Sequence, residues 1–220
     1  MTERLAYICR HIPHARVFAD IGCDHGYCTQ YVLERGLCER AYVSDVSAEC
    51  LEKAKTLLQN EIAAGRCIPV CADGLEGIPE AADCVLCAGL GGEEMVRILS
   101  LRPLPEHFVL QPMKNTEKVR RFLVARGAKL ELDVTFPEGK QCYDLLVGCG
   151  TGGDVYSEHE YRYGRDNLKS PGRAFYDRVQ RDVNRTRGAL ARVKNAMQRE
   201  ALLARLAELE GIQDAIEERL

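Results

Sequence analysis

Through the first 126 residues, short runs that are apolar at nearly every position alternate with longer stretches in which apolar residues recur every three or four positions. The runs at 16–23, 40–46, 67–73, 83–89 and 107–113 predict strands, and the stretches at 27–35, 48–64, 92–99 and 116–126 predict helices. A strand without polar alternation is one covered on both faces. The repeated β-α rhythm therefore predicts an α/β fold built on a parallel, doubly wound sheet. An opening helix over 2–12 is predicted from Leu5, Ile8, Cys9 and Ile12 on one side, with Thr2 as its N-cap.

The rhythm then breaks. Runs at 129–136 and 142–149 are joined by only Pro137-Glu138-Gly139-Lys140-Gln141, too short for a crossover helix, and predict an antiparallel hairpin. Five parallel strands closed by such a hairpin fit a Rossmann-like methyltransferase sheet better than a plain dinucleotide-binding one. Gly148, Gly150, Gly152 and Gly153 mark a boundary, dividing the chain into 1–155 and 156–220. The second part carries no strand signal. One apolar set runs Phe175, Val179, Val183, Thr186, Leu190, Val193, Met197, and another runs Leu202, Leu206, Leu209, Ile216, Leu220. The two sets are out of phase, which predicts two helices folded back as an antiparallel, coiled-coil-like hairpin turning within 194–200.

Charge separates these parts further. Residues 1–161 hold 17 Lys and Arg against 24 Asp and Glu, whereas 162–199 hold 11 against three. A basic helical arm on an acidic domain is suited to a polyanion. Its candidate phosphate contacts are Arg162, Arg165, Arg173, Arg178, Arg181 and Arg185, with Tyr161 and Tyr163 able to stack on exposed bases. No apolar run approaches the ~20 residues that span a bilayer, and Glu3, Arg4 and Arg10 break the opening segment. A cytoplasmic monomer without a membrane partner is expected. The eleven cysteines are read as thiols rather than disulfides, with Cys23, Cys71, Cys84, Cys87 and Cys149 acting as small hydrophobes in strands. Cys84-x-x-Cys87 would fall on opposite faces of a strand and has no matching second pair, so no metal site is expected.

The chemistry concentrates in Phe18-Ala-Asp-Ile-Gly-Cys-Asp-His-Gly-Tyr27, at the end of the first strand. Gly22 and Gly26 suit a tight turn with close backbone approach to a ligand, where a doubly wound sheet opens its crevice. Asp24 stands where a dinucleotide fingerprint has its middle glycine, and Asp20 and Asp24 would repel a pyrophosphate. They suit S-adenosylmethionine instead, which lacks phosphate and carries an ammonium and a sulfonium. Asp45 ends the second strand, near the position from which an acid takes ribose hydroxyls. Asp73-Gly74 ends the third, placed for an adenine amine. Gly89-Leu90-Gly91-Gly92 follows the fourth strand and admits close approach of a substrate or of the donor's methionine tail. Gln111 ends the fifth and offers a two-headed amide to a base edge. The donor site is thus assigned to Asp20, Gly22, Cys23, His25, Asp45, Val46, Asp73, Gly74, Gly89 and Leu90, and the chemistry to Asp24 and Gln111. Asp24, His25 and Gln111 all remain open as a general base.

Four stretches together resemble the bacterial tRNA (adenine-22, N1) methyltransferases of the TrmK type: Arg4-Leu5, residues 20–27, Gly-Leu-Gly-Gly at 89–92, and Leu-Gln-Pro at 110–112. The strand carrying Tyr143 and the helical tail fit as well. The family usually has Ser, Met and Asn where this chain has Cys23, Leu90 and Met113. The resemblance implies S-adenosylmethionine as donor, held by Asp20, Gly22, Asp45, Asp73, Gly74 and Gly89. It implies N1 of an adenine in the D-loop region of tRNA as acceptor. On the residues alone, a methyltransferase for a protein or small molecule stays open, as does an RNA-binding protein with a vestigial donor site.

Overall fold

The computed structural model describes residues 1–219; Leu220, the last position of the second apolar set, lies outside them. Helix α1 (Glu3–Cys9) precedes β1 (Ala15–Ile21), α2 (Tyr27–Glu34), β2 (Cys38–Asp45), α3 (Ala48–Leu57), α4 (Gln59–Ala63), β3 (Cys67–Cys71), β4 (Cys84–Ala88), α5 (Gly92–Ser100), β5 (His107–Gln111) and α6 (Thr116–Ala125). The hairpin β6 (Ala128–Glu138) and β7 (Gln141–Gly152) follows. The strands form one sheet in the order β3-β2-β1-β4-β5-β7-β6, parallel through β5 and antiparallel at β7 and β6. The expected Rossmann-like architecture is borne out. Chain order reverses between β1 and β4, which opens a crevice at the carboxyl ends of the strands.

Both faces of the sheet are covered, as the unbroken apolar runs required. Along β1, Phe18 packs into a core with Ile8, Val32 and Leu51 on the side of α1, α2 and α3. Its neighbours Val17, Ala19 and Ile21 pack into a second core with Met95, Ile98 and Val119 on the side of α5 and α6. Cys84 lies in the first core and Cys87 in the second, so the two thiols are on opposite faces. Local capping sets the helix starts: the Thr2 hydroxyl accepts from the Leu5 N–H, and the Ser47 hydroxyl from the Cys50 N–H. The stretch expected as one helix over 48–64 is two, broken at Leu58, which is 1% exposed and turns into the first core.

The tail contains α7 (Glu158–Tyr163), α8 (Arg165–Lys169), α9 (Arg173–Leu190) and α10 (Ala196–Glu217). α9 and α10 form the expected hairpin, with Phe175, Val179, Val183, Leu209 and Ile216 buried between them. The turn occupies residues 191–195, earlier than the sequence suggested, because Asn195 caps α10 through its side-chain oxygen on the Gln198 N–H. The apolar stripe fades toward this tip: Met197 is 81% exposed.

The preceding segment has a different job. β6 is an edge strand, and the residues before and within α8 cover its free backbone groups. Asp154 accepts from Leu130 N–H, Asp166 from Asp133 N–H and Asn167 from Thr135 N–H, while Arg165 donates to the Leu130 carbonyl. Side chains replace the missing neighbour strand and block edge pairing. Beneath them the Arg120–Asp133 ion pair is wholly buried, with Arg120 Nε 2.9 Å from both carboxylate oxygens. Asp133 also accepts from Tyr156 and from the Arg165 N–H, and Arg120 donates to the Tyr161 carbonyl. The helical hairpin proper therefore begins at Arg173, past the 155/156 boundary drawn from the glycines.

A cavity and a groove at the carboxyl ends of the strands

A cavity of about 400 Å³ opens at the switch point between β1 and β4. All ten residues assigned to the donor line it, together with Asp24. The loop after β1 is shaped by backbone geometry. Gly22 has φ +71°, and a Cβ there would press on Leu90 at 3.2 Å. Gly74, φ +61°, has the Ile98 side chain 2.9 Å from where its Cβ would stand. Asp24 adopts the left-handed region itself, φ +48°, which Asp tolerates better than most residues.

Each acid is held differently. Asp45, at the end of β2, accepts from the Asp24 N–H at 3.2 Å and the Ser47 N–H at 2.8 Å, one per oxygen. Each oxygen keeps a lone pair for an incoming hydroxyl. Asp20 is buried and accepts from the Thr29 hydroxyl at 2.8 Å. Burial pushes its carboxyl up to about 6, against the Thr29 hydrogen bond that opposes the shift. Asp24 is exposed and pairs with His25 Nδ1 at 2.8 Å. Asp73 is engaged by Arg97, which also binds Glu94. Its carboxylate is thus oriented from α5 rather than free in the crevice. Arg4, Tyr27, Ser44, Cys50 and Glu94 complete much of the wall. Of these, Arg4 and Tyr27 lay within stretches the sequence had singled out, and Ser44, Cys50 and Glu94 did not.

Gln111 stands apart from the other assigned residues. It is fully buried and does not line the cavity. Arg4 donates to its side-chain oxygen, and its amide nitrogen donates to the Pro112 carbonyl at 3.2 Å. The two-headed amide expected to face a base is therefore turned onto the protein. Next to it, Met113 is 52% exposed.

Beyond Pro112 the surface opens into a groove of about 1000 Å³ between the sheet and α9. Four of the six arginines assigned to RNA line it: Arg162, Arg178, Arg181 and Arg185. Lys114, Lys118 and Arg121 form the facing wall, which charge counting along the tail could not reveal. Partners sort these cations. Arg178 is tied to the buried Asp144. Burial alone would raise that carboxyl, but the Arg178 and Arg120 guanidiniums outweigh it and hold it down at about 2. Arg165 faces Asp154 and Asp166 and belongs to the cover over β6, outside the groove. Arg162 pairs with Glu208, and Arg173, also outside the groove, with Asp177. Among the described residues, Arg181 reaches only the Lys140 carbonyl, at 3.3 Å, and Arg185 only Asp182, at 3.4 Å.

The stacking role read for Tyr161 and Tyr163 is not available as they stand. Tyr163 is buried in the tail core, and Tyr161 lies under Arg121. Of the five cysteines expected in strands, Cys84 and Cys87 are buried in β4, Cys71 is exposed at the end of β3 and Cys149 is half-buried in β7; Cys23 is buried but lies in the loop after β1, which ends at Ile21. Among the described residues no cluster of three or more His, Cys, Asp or Glu could hold a metal ion, and no helix is long and apolar enough to cross a membrane.

A family model described as a methyltransferase domain matches residues 1–146. A Mycoplasma pneumoniae protein provisionally named a tRNA methyltransferase is 36% identical over 137 residues, covering 60% of this chain and 62% of its own. The Bacillus subtilis tRNA (adenine(22)-N(1))-methyltransferase is 28% identical over 152 residues, covering 67% of this chain and 64% of its own. The match thus spans less than two thirds of either relative. In fold, the chain is similar to the M. capricolum TrmK structure solved with S-adenosylhomocysteine, with a TM-score of 0.89 at 18% identity over 98% of this chain and 99% of that one. That likeness extends the common fold through the helical tail.

Proposed function

The chain belongs to the methyltransferase domain family, and from that premise we propose that it transfers a methyl group from S-adenosylmethionine to N1 of an adenine in tRNA, at position 22. The observation that carries the reading is the adjacency of two surfaces of opposite character. The cavity gathers Asp20, Asp24, Asp45, Asp73 and Glu94, a lining that suits a cationic, phosphate-free nucleoside. The groove gathers seven Lys and Arg, a lining that suits a phosphate backbone. They adjoin where the N–H of Met113, a groove residue, donates to the carbonyl of Leu90, a cavity residue, at 2.8 Å. The names of the relatives support the acceptor.

The residues present fit the donor. Asp45 offers acceptor lone pairs to ribose hydroxyls, Gly22 and Gly89 permit close approach, and Asp20 faces an ammonium. When bound, the donor supplies an electrophilic methyl group. Adenine N1 has an in-plane lone pair and is neutral at pH 7, so no proton need leave before attack. Catalysis then rests on holding N1 in line, a proximity effect worth several kcal/mol, and on stabilising the cationic product ring. Asp24, with its exposed carboxylate at the cavity rim, is placed to favour that charge. Since N1 lies on a pairing edge, the target base must be unpaired or turned out, at a cost of a few kcal/mol. Met113 and the 89–92 loop border its entry.

Incubation with labelled donor and bulk tRNA, followed by nucleoside analysis, tests the reading. Label in 1-methyladenosine is expected; label only in another nucleoside, or only in protein, would overturn it. Asp24→Asn keeps shape and removes charge, and is expected to lower kcat roughly 10- to 1000-fold with donor affinity little changed. A normal kcat with a raised donor KM would instead make Asp24 a positioning residue.

A further inference from the structure

We propose that Arg162, Arg205 and His159 form a further phosphate site beside the groove, and that the Glu208 carboxylate occupies it until an RNA phosphate takes its place; this rests on the tRNA reading above. The site lies in a cavity of about 490 Å³ between α6, α7 and α10, lined by Glu117, Arg162, Ala201, Ala204, Arg205 and Glu208. Glu117 and Arg162 also line the groove, so the two openings adjoin. A sugar–phosphate strand leaving the groove along α7 crosses the smaller one.

Three side chains converge on one carboxylate. Arg162 Nη1 donates to both Glu208 oxygens at 2.9 Å, Arg205 Nη1 donates to Oε2 at 3.0 Å, and His159 Nε2 lies 3.6 Å from Oε1. The other acid of this cavity, Glu117, is taken up by Arg121. Each guanidinium spends a single nitrogen on Glu208. Among the described residues, Nε and Nη2 of Arg162 and of Arg205 make no hydrogen bond. Donors therefore remain for an anion with more oxygens than a carboxylate has, which is what a phosphate offers.

The cations are held by means other than Glu208. Arg205 also donates to the Tyr163 hydroxyl and sits 5.1 Å from the centre of that ring. His159 stacks on the same ring, with centroids 6.4 Å apart, and Tyr163 is buried in the core of the tail. The carbonyl of Arg162 accepts from the buried Arg120. Glu208, by contrast, can turn away. On its face of α10 the positions one and two turns earlier are Ala204 and Ala201, which leave open space above the cations. Its neighbour Leu209 is buried, so the helix stays in place when the side chain moves. A pair this near the surface is worth little, so the exchange is cheap for a strand already anchored in the groove.

Titration of bulk tRNA against the full chain, over a range of salt, tests the exchange. The proteins are wild type, Glu208→Gln and Asp214→Asn. Asp214 is exposed, lies about 240° around α10 from Glu208 and has no ion pair among the described residues, so it controls for the change in net charge. Glu208→Gln is expected to bind about 3- to 5-fold tighter at low salt, with a salt dependence steeper by about one unit of slope. Arg162→Gln in the same chain should abolish the gain. An equal gain from Asp214→Asn would overturn the proposal, as would unchanged or weaker binding by Glu208→Gln at wild-type melting temperature. Where Glu208→Gln melts lower, phenylglyoxal labelling of the wild-type arginines decides. Bound tRNA should protect Arg205, which does not line the groove, and leave Arg173 labelled as before. Arg205 labelled equally with and without tRNA would overturn the proposal. Failure of wild type to bind tRNA at all would instead strike the tRNA reading.

Discussion

The cavity and the groove lie side by side, yet they are built by different means. Backbone builds the cavity: left-handed turns at Gly22 and Gly74, and carboxylates fixed by N–H groups and a hydroxyl at strand ends. Side chains build the groove, and many of its cations already carry partners on the protein. A carboxylate at a strand end faces the crevice because the sheet leaves it nowhere else to go. An arginine on a helix has a choice, and its identity alone does not reveal which acid it has chosen. A surface cation counted from sequence is therefore weak support for a polyanion site until its partners are known.

The sharpest way to break that comparison is to remove a cation on which the fold itself depends. Arg120 is fully buried against Asp133 and holds α7 through the Tyr161 carbonyl. Arg120→Met should cost about 3–5 kcal/mol, because removing one member strands a buried charge. Chemical denaturation would show it. A cost under ~1 kcal/mol would mean that the edge cover over β6 stands without the pair.

The free cations should behave in the opposite way. Lys114, Arg181 and Arg185 line the groove and make few or weak contacts with the protein. Reversing all three to Glu should leave the melting temperature within a few degrees. It should lower tRNA affinity on the order of a hundredfold and flatten the salt dependence by two to three units of slope. Donor affinity should not move. Equal loss from reversing Arg165 and Arg173, which lie outside the groove, would erase the distinction between the two sets.

Within the cavity, Asp45→Ala removes the acceptor that two N–H groups already align. A charge-assisted hydrogen bond is worth about 1.5–3 kcal/mol, so donor affinity should fall at least tenfold by calorimetry, with tRNA binding intact. Unchanged donor affinity would remove Asp45 from the site.

The same contrast explains what the sequence could and could not tell. The α/β rhythm, the terminal hairpin and the helical tail were legible because hydrophobic period and linker length act locally. The lining of the cavity was legible for the same reason, since Asp20, Asp45 and Asp73 lie at or near the ends of predicted strands and topology brings strand ends together. Gln111 closes a strand too, but its amide faces Arg4, a contact across 107 residues that no period encodes. Lys114, Lys118 and Arg121 were invisible as a wall of the groove because only the fold sets them opposite α9. That Arg165 and Arg178 already carry acidic partners was not legible, because Asp154, Asp166 and Asp144 carry no mark in sequence.

The smallest expected effect separates building a site from stabilising a fold. Asp20 is buried, and its carboxyl is pushed up to about 6 by that burial, with Thr29 opposing. In the unfolded chain the group titrates near 3.9. The folded state therefore holds a proton that the unfolded state has released, and stability falls as pH rises from about 4 to 6, then stays level. A shift of about two units corresponds to at most ~3 kcal/mol. Asp20→Asn keeps an oxygen for the Thr29 hydroxyl and removes the titration, while its new amide needs a partner of its own and takes back part of the gain. The variant should thus be about 1–2 kcal/mol more stable than wild type at pH 8 and no more stable at pH 4, measured by denaturation at both. It should also bind S-adenosylmethionine more weakly, since the group facing the ammonium has lost its charge. Greater stability with weaker binding is what an acid kept for its ligand rather than for the fold must give. A variant less stable at pH 8 would show instead that the Asp20 carboxylate supports the loop after β1 in the free protein.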